Sequence, residues 1–260
     1  KLRDGVKFHN GRTMTPADVK YSLERAVNPA TQSPGGGYFS AIDGYDALAG
    51  GKATELSGIR IVDDKTISFT LTRPDATFLH LMAINFAYIV PKEEVEKAGA
   101  DWGKKPVGTG AFKFSEWVPG QRIVLERNKD YFRQGVPYLD KLTYEFGQDP
   151  TVAVLRLKNG EVDIVGDGIP PAQFTEIMAD PANKELIAVG DQLQTGYVTM
   201  NVTQPPFDNL KIRQAVNMAI NKDRITRLIN NRAVPANQAL PPAMPGYNQD
   251  NKGYAYDPEG

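Results

Sequence analysis

Acid–base chemistry at neutral pH draws first on histidine, and this chain has only two, His9 and His80. Neither sits in an HExxH pattern or at a spacing that would place a carboxylate to orient it. His9 adjoins an Asn10-Gly11 turn and His80 lies in an apolar stretch, so both are expected as packing or surface residues. Cysteine is absent, which removes thiol nucleophiles, thiolate metal sites and disulfides. There is no GxSxG elbow and no Walker loop. Gly108-Thr109-Gly110 has the outline of a phosphate cradle, but no lysine accompanies it and a strand pattern follows where a helix would be needed. Those glycines are expected to serve a tight turn where two segments approach closely. Glu161 and Asp163 alternate with Val162 and Ile164, a strand pattern that puts the carboxylates on a sheet face. No catalytic residue, metal ligand or cofactor site is assigned from these patterns. A hydrolase stays only as a remote alternative, which turnover by this cysteine-free chain would revive.

The elements around these residues read as a soluble globular protein. With 260 residues, 41% of them hydrophobic, the chain can bury a sizeable core and has room for two compact units. Its 30 basic and 31 acidic residues are mixed along the sequence, so no basic stripe exists to neutralise phosphates and no nucleic-acid partner is expected. No apolar run approaches the roughly 20 residues that span a bilayer. Thr15, Pro16 and Asp18 form a helix start, and Val19, Leu23 and Val27 recur on one face, which predicts a core-facing helix to about Ala26. A glycine-rich loop follows at 33–40. Residues 58–74 predict a hairpin with Ile59 and Ile61 facing Ile67, Phe69 and Leu71, and 76–84 predict a short buried helix.

Beyond Trp102-Gly103, strands are predicted near 110–117, 121–127, 141–146, 162–166, 185–190 and 195–202. Helices are predicted across 149–158, 171–179 and 208–220, with another capped by Asn221. This alternation argues for an open α/β sheet. Trp102 and Trp117 read as structural, and Tyr131-Phe132 as the cap of a strand edge.

Four ordered blocks carry a resemblance: KLRDGVKFHNGRTMTPADVKYSLERAV at 1–27, PVGTGAFKFSEWVPGQRIVLERNKDYF at 106–132, LKNGEVDI at 157–164 and PPFDNLKIRQAVNMAINKDRI at 205–225. Together they are similar to the extracytoplasmic solute-binding proteins, family 5, which serve peptide, nickel and related ABC importers. The resemblance implies an α/β, periplasmic-binding-protein-like fold of type II in the large cluster C, with two lobes and an extra small domain. It divides the chain into a small extra subdomain of lobe 1 at 1–104, part of the lobe 1 α/β domain at 105–191, and the hinge crossing with the start of lobe 2 at 192–260. Members are commonly about twice this length, so an internal fragment is expected.

Carried over residue by residue, the resemblance makes the strand after the hinge a cleft wall, with Gln192, Gln194 and Tyr197 as ligand contacts. Gln192 stands where an aromatic residue is common. Asp167 and Gly168 fall in a turn at the cleft. In the small domain Gly35 lies where a peptide binder presents tyrosine, while Tyr38 keeps a nearby aromatic, and the run Gly35-Gly36-Gly37 is expected to leave a roomier pocket. Each residue has a competing structural reading: Tyr197 as a core tyrosine, Asp167 as a turn former, Tyr38 as a loop residue. The implied role is solute capture, with short peptides leading and oligosaccharides, nickel chelates, opines and haem as other solutes. ABC permease subunits are the implied partners, a monomer the expected state, and the periplasm or a lipid-anchored extracellular position the expected place. A sensing receptor of the same fold is the alternative. The 260 residues alone are expected to bind solute weakly and to aggregate through exposed apolar faces.

Overall fold

The computed structural model describes residues 1–166 and 168–259. They divide into two compact units, Lys1–Gly147 and Gln148–Gly260.

In the first unit, helix α1 (Pro16–Val27) starts where the sequence sets proline at the first helical position. The Asp18 carboxylate reaches back to accept from the Thr15 N–H at 2.8 Å and its hydroxyl at 2.9 Å, so a donor freed at the helix start is satisfied. Val19, Leu23 and Val27 are buried as the periodicity requires. They pack with Phe39, Ile42, Leu48 of α2 (Tyr45–Ala49), Leu56, Ile59 and Ala87 in one core cluster. The hairpin forms as β1 (Ile59–Asp63) against antiparallel β2 (Thr66–Phe69). Its alternation is only partly inward: Ile59 is buried, Ile67, Phe69 and Leu71 are partly buried against the core, and Ile61 is exposed. The register slips between Ile61 and Asp63, which re-aims the strand end.

The buried helix expected over 76–84 is instead a single turn, α3 (Phe78–Leu81), with no buried residue and with Leu79 78% exposed. One turn cannot present a continuous apolar stripe. Phe78 alone reaches inward from it, meeting Phe69 edge-on at 5.3 Å. Helix α4 (Lys92–Ala98) then lies beside α1. A guanidinium joins the two: Arg12 binds Asp18 at 2.6 Å and Glu93 at 2.5 Å while stacking over Phe8. A three-stranded antiparallel sheet closes the unit, β3 (Phe112–Val118), β4 (Arg122–Arg127) and β5 (Lys141–Glu145) in that order.

The second unit holds α5 (Pro150–Lys158), α6 (Pro171–Ala179), α7 (Leu210–Ala219) and α8 (Lys222–Leu228). Asp149, Asn209 and Asn221 cap α5, α7 and α8 with their side chains. The strands expected at 162–166, 185–190 and 195–202 are absent among the described residues, and the sheets present are antiparallel. A strand exists only by pairing with a neighbour, and these segments have none: Ile164, Leu186, Val189 and Val198 are left exposed.

Candidate functional site

Tyr38 sits in a short 3-10 turn, Gly36–Phe39, anchored from below by fully buried Phe39. Its ring is 51% exposed and stacks on Phe86, with centroids 5.7 Å apart and planes at 20°. The glycine run beside it does not leave a roomier pocket. A Cβ on Gly35 would lie 2.0 Å from Phe86 Cγ, so the Phe86 ring occupies the space that a side chain at 35 would need. A Cβ on Gly36 would meet the Ala26 carbonyl at 2.7 Å. These two glycines let the loop lie flat against α1 and Phe86, and the result is a solid aromatic platform.

The glycine loop at 108–110 is fixed by hydrogen bonds. His9 N–H donates to the Gly108 carbonyl at 2.8 Å, and Gly108 N–H donates to His9 Nδ1 at 3.3 Å. With Nδ1 accepting, the proton resides on Nε2, which donates to the Gly110 carbonyl at 3.0 Å. Asn128, 3% exposed at the end of β4, donates to the same carbonyl at 3.0 Å and accepts from Asp130 N–H. A Cβ on Gly108 would stand 3.9 Å from His9, an ordinary contact, so crowding is not what this loop avoids. Burial pushes the His9 imidazole below its ordinary value; the Gly110 bond opposes this and the Lys113 charge adds to it. Both ring nitrogens are therefore committed to backbone, and His9 presents no base to a substrate. Nothing in the sequence signalled this node, because its members are separated by about a hundred residues.

In the second unit the expected contacts lie along an extended, unpaired stretch. Gln192, Gln194 and Tyr197 are exposed, Tyr197 at 82%, and none makes a hydrogen bond or ring contact among the described residues. Tyr197 is thus not a core tyrosine in this structure. Gly168 is exposed with φ +73°, a left-handed turn position suited to glycine. Asp167 lies outside the described residues. Tyr38 belongs to the first unit and Gly168, Gln192, Gln194 and Tyr197 to the second, each placed within its own unit. Chemically, the amides and the phenol supply donors and acceptors for a polar backbone, and the aromatic faces supply apolar area. Among the described residues no group of three or more histidine, aspartate or glutamate side chains is placed to hold a metal ion. None of their helices is long and apolar enough to cross a membrane.

Comparison with known proteins gives these features a context. The profile described as bacterial extracellular solute-binding proteins, family 5 Middle, matches residues 1–260. A glutathione-binding protein of Salmonella typhi is 32% identical over 259 residues, covering 99% of this chain and 47% of that protein. The dipeptide-binding protein of Escherichia coli K12 is 33% identical over 274 residues, covering 99% and 49%. Among solved structures, the periplasmic binding protein DppA of Helicobacter pylori in complex with the peptide STSA superposes with a TM-score of 0.80 at 30% identity, covering 99% of this chain and 51% of that one. The chain spans about half the length of the curated relatives it matches.

Proposed function

This chain belongs to the bacterial extracellular solute-binding proteins of family 5, and on that premise we propose that the whole protein is the substrate-binding subunit of an ABC importer with short peptides as its solute. The fold is that of the type II periplasmic binding proteins. The observation that carries the functional reading is the unbroken match of all 260 residues to the family. The peptide assignment draws on the relatives named for dipeptide and glutathione binding.

In this reading residues 1–104 are the extra small subdomain, 105–191 part of lobe 1, and 192–260 the hinge crossing and the beginning of lobe 2. The two compact units meet in sequence after Gly147, with the β3–β5 sheet inside the first. Gln192, Gln194, Tyr197 and Gly168 are the residues that meet the peptide in this reading, Asp167 is assigned the same role by the resemblance alone, and Tyr38 contributes from the small subdomain. Solute enters an open cleft, makes better contacts when the lobes close, and shifts the population by its differential affinity for the closed state. The loaded monomer then delivers its cargo to the permease outside the cytoplasmic membrane. The role is binding and transfer, with no chemical step and no cofactor.

The test is calorimetric titration of the protein expressed from its whole reading frame with a panel of di- to tetrapeptides, oligosaccharides, nickel chelates, opines and haem. Saturable peptide binding that weakens at least about tenfold in Tyr197→Ala is expected, as for loss of a buried aromatic contact. Binding of another solute class with no response to peptides would overturn the peptide assignment.

A further inference from the structure

Phe132, on the loop after β4, is shared by two cations. Arg3 Cζ stands 4.9 Å and Arg133 Cζ 5.9 Å from its ring centroid, so the two guanidiniums lie within about 11 Å of each other. Tyr131 braces the ring at 4.5 Å between centroids. Phe132 and Tyr131 are half-buried, whereas both arginines are exposed. Neither arginine forms an ion pair or hydrogen bond among the described residues. Elsewhere in this unit Arg12, Arg122 and Arg127 each hold a carboxylate, while Arg25, Arg60 and Arg73 form no ion pair among the described residues and have no ring contact either. The loop's own acid, Asp130, is not within ion-pair distance of either guanidinium, and its backbone N–H is held by Asn128.

We propose that the Arg3–Phe132–Arg133 cluster is a docking point for an acidic segment of a protein partner, which in the reading above is the membrane permease. Arg3 lies over the braced ring at 4.9 Å and Arg133, the ring's neighbour in sequence, at 5.9 Å, which limits the freedom of both guanidiniums while neither is spent on a carboxylate among the described residues. That is the arrangement in which arginine binds carboxylates bidentately. The ordering cost that a flexible cation would meet on binding is thereby partly met in advance. Two cations in a protein of net charge −1 fall short of the four to eight basic residues that recognise anionic lipid. A discrete pair of carboxylates on a protein loop fits better than a membrane surface. Charge pairs at such a rim set the rate and salt dependence of association while leaving solute capture untouched.

The inference rests on the importer reading, and its test separates the two. The whole protein and its cognate permease, with the ATPase subunits, are reconstituted in lipid nanodiscs. ATP hydrolysis is measured against binding-protein concentration at low and physiological salt, and solute affinity is measured separately. The double variant Arg3→Glu/Arg133→Glu is expected to raise the half-stimulating concentration about tenfold or more, to lose most of its salt dependence, and to keep wild-type solute affinity. Arg3→Gln/Arg133→Gln removes the charge with less risk to folding and should act in the same direction. An unchanged half-stimulating concentration in either folded variant overturns the docking point. Wild-type protein that binds no solute overturns the importer reading, and this proposal with it.

Discussion

His9 gives the most direct test of how the glycine loop is held. Replacing it with alanine removes the 3.0 Å bond from Nε2 to the Gly110 carbonyl and the longer 3.3 Å bond accepted by Nδ1. The Gly110 carbonyl keeps Asn128, but the half-buried Gly108 N–H loses its partner. At roughly 0.5–1.5 kcal/mol net for each bond, the substitution should cost about 1–2 kcal/mol. The pH dependence has a definite sign. With the folded value below the ordinary 6.5, the unfolded chain takes up the proton first, so stability from His9 is complete above about pH 6.5 and is lost as pH falls through the lower folded value. Protonating Nδ1 would also set an N–H against the Gly108 N–H. Trp102 and Trp117 both lie in the first unit, so tryptophan fluorescence during urea unfolding reports on it. Between about pH 7.5 and 5, wild type should lose stability that His9→Gln, which cannot titrate, retains. Glu24 offers no confusion of sign. Burial raises its carboxyl against the Leu56 N–H and Lys20, so its protonation stabilises the fold as pH falls. Equal slopes in wild type and His9→Gln would refute the assignment of the Nδ1 acceptor.

Three further substitutions probe the first unit. Asp18→Asn should destabilise it by about 2–3 kcal/mol in the same urea assay, because a buried acid that caps α1 and holds Arg12 is lost. Burial alone would raise the Asp18 carboxyl, but bonds from Arg12 and Thr15 hold it below its ordinary 3.8; its stabilisation should persist above that value and disappear as pH falls through the lower one. Asn128→Ala should cost about 1–2 kcal/mol by removing its bonds to the Gly110 carbonyl and the Asp130 N–H, with protection of nearby amides from hydrogen exchange as a second readout. Gly36→Ala, whose Cβ would press on the Ala26 carbonyl, should lower the unfolding midpoint by the equivalent of about 1–3 kcal/mol, while Gly37→Ala, with nothing closer than 4.0 Å, should leave it unchanged.

Local patterns were legible where neighbours in sequence are neighbours in space. The α1 start, its inward face, the β1–β2 hairpin, the β3–β4 pairing and the Asn221 cap all depend on contacts a few residues apart or on adjacent strands joined by short turns. The segments 162–166, 185–190 and 195–202 carry strand-like composition without strand structure, because composition states a preference while a ladder requires a partner. The site divides the same way. Exposure of Tyr38, Gln192 and Gln194 follows from polar or loop-forming surroundings, whereas that of Tyr197, in a strand-like segment with apolar neighbours, does not. The seat of Phe86 on Gly35 and the hold of His9 on Gly110 join positions far apart in the chain, and no spacing rule reaches them.

The Phe86 ring resting on Gly35 also constrains which sequences are reachable by single steps. A side chain at 35 cannot be gained while residue 86 keeps its ring, and a smaller residue at 86 leaves a void until 35 is filled. The two positions therefore behave as one heritable unit with two allowed states, glycine with a ring or a side chain without one. A change that placed an aromatic residue at 35 would have to pass through Phe86 first, so the order of mutations is dictated by packing.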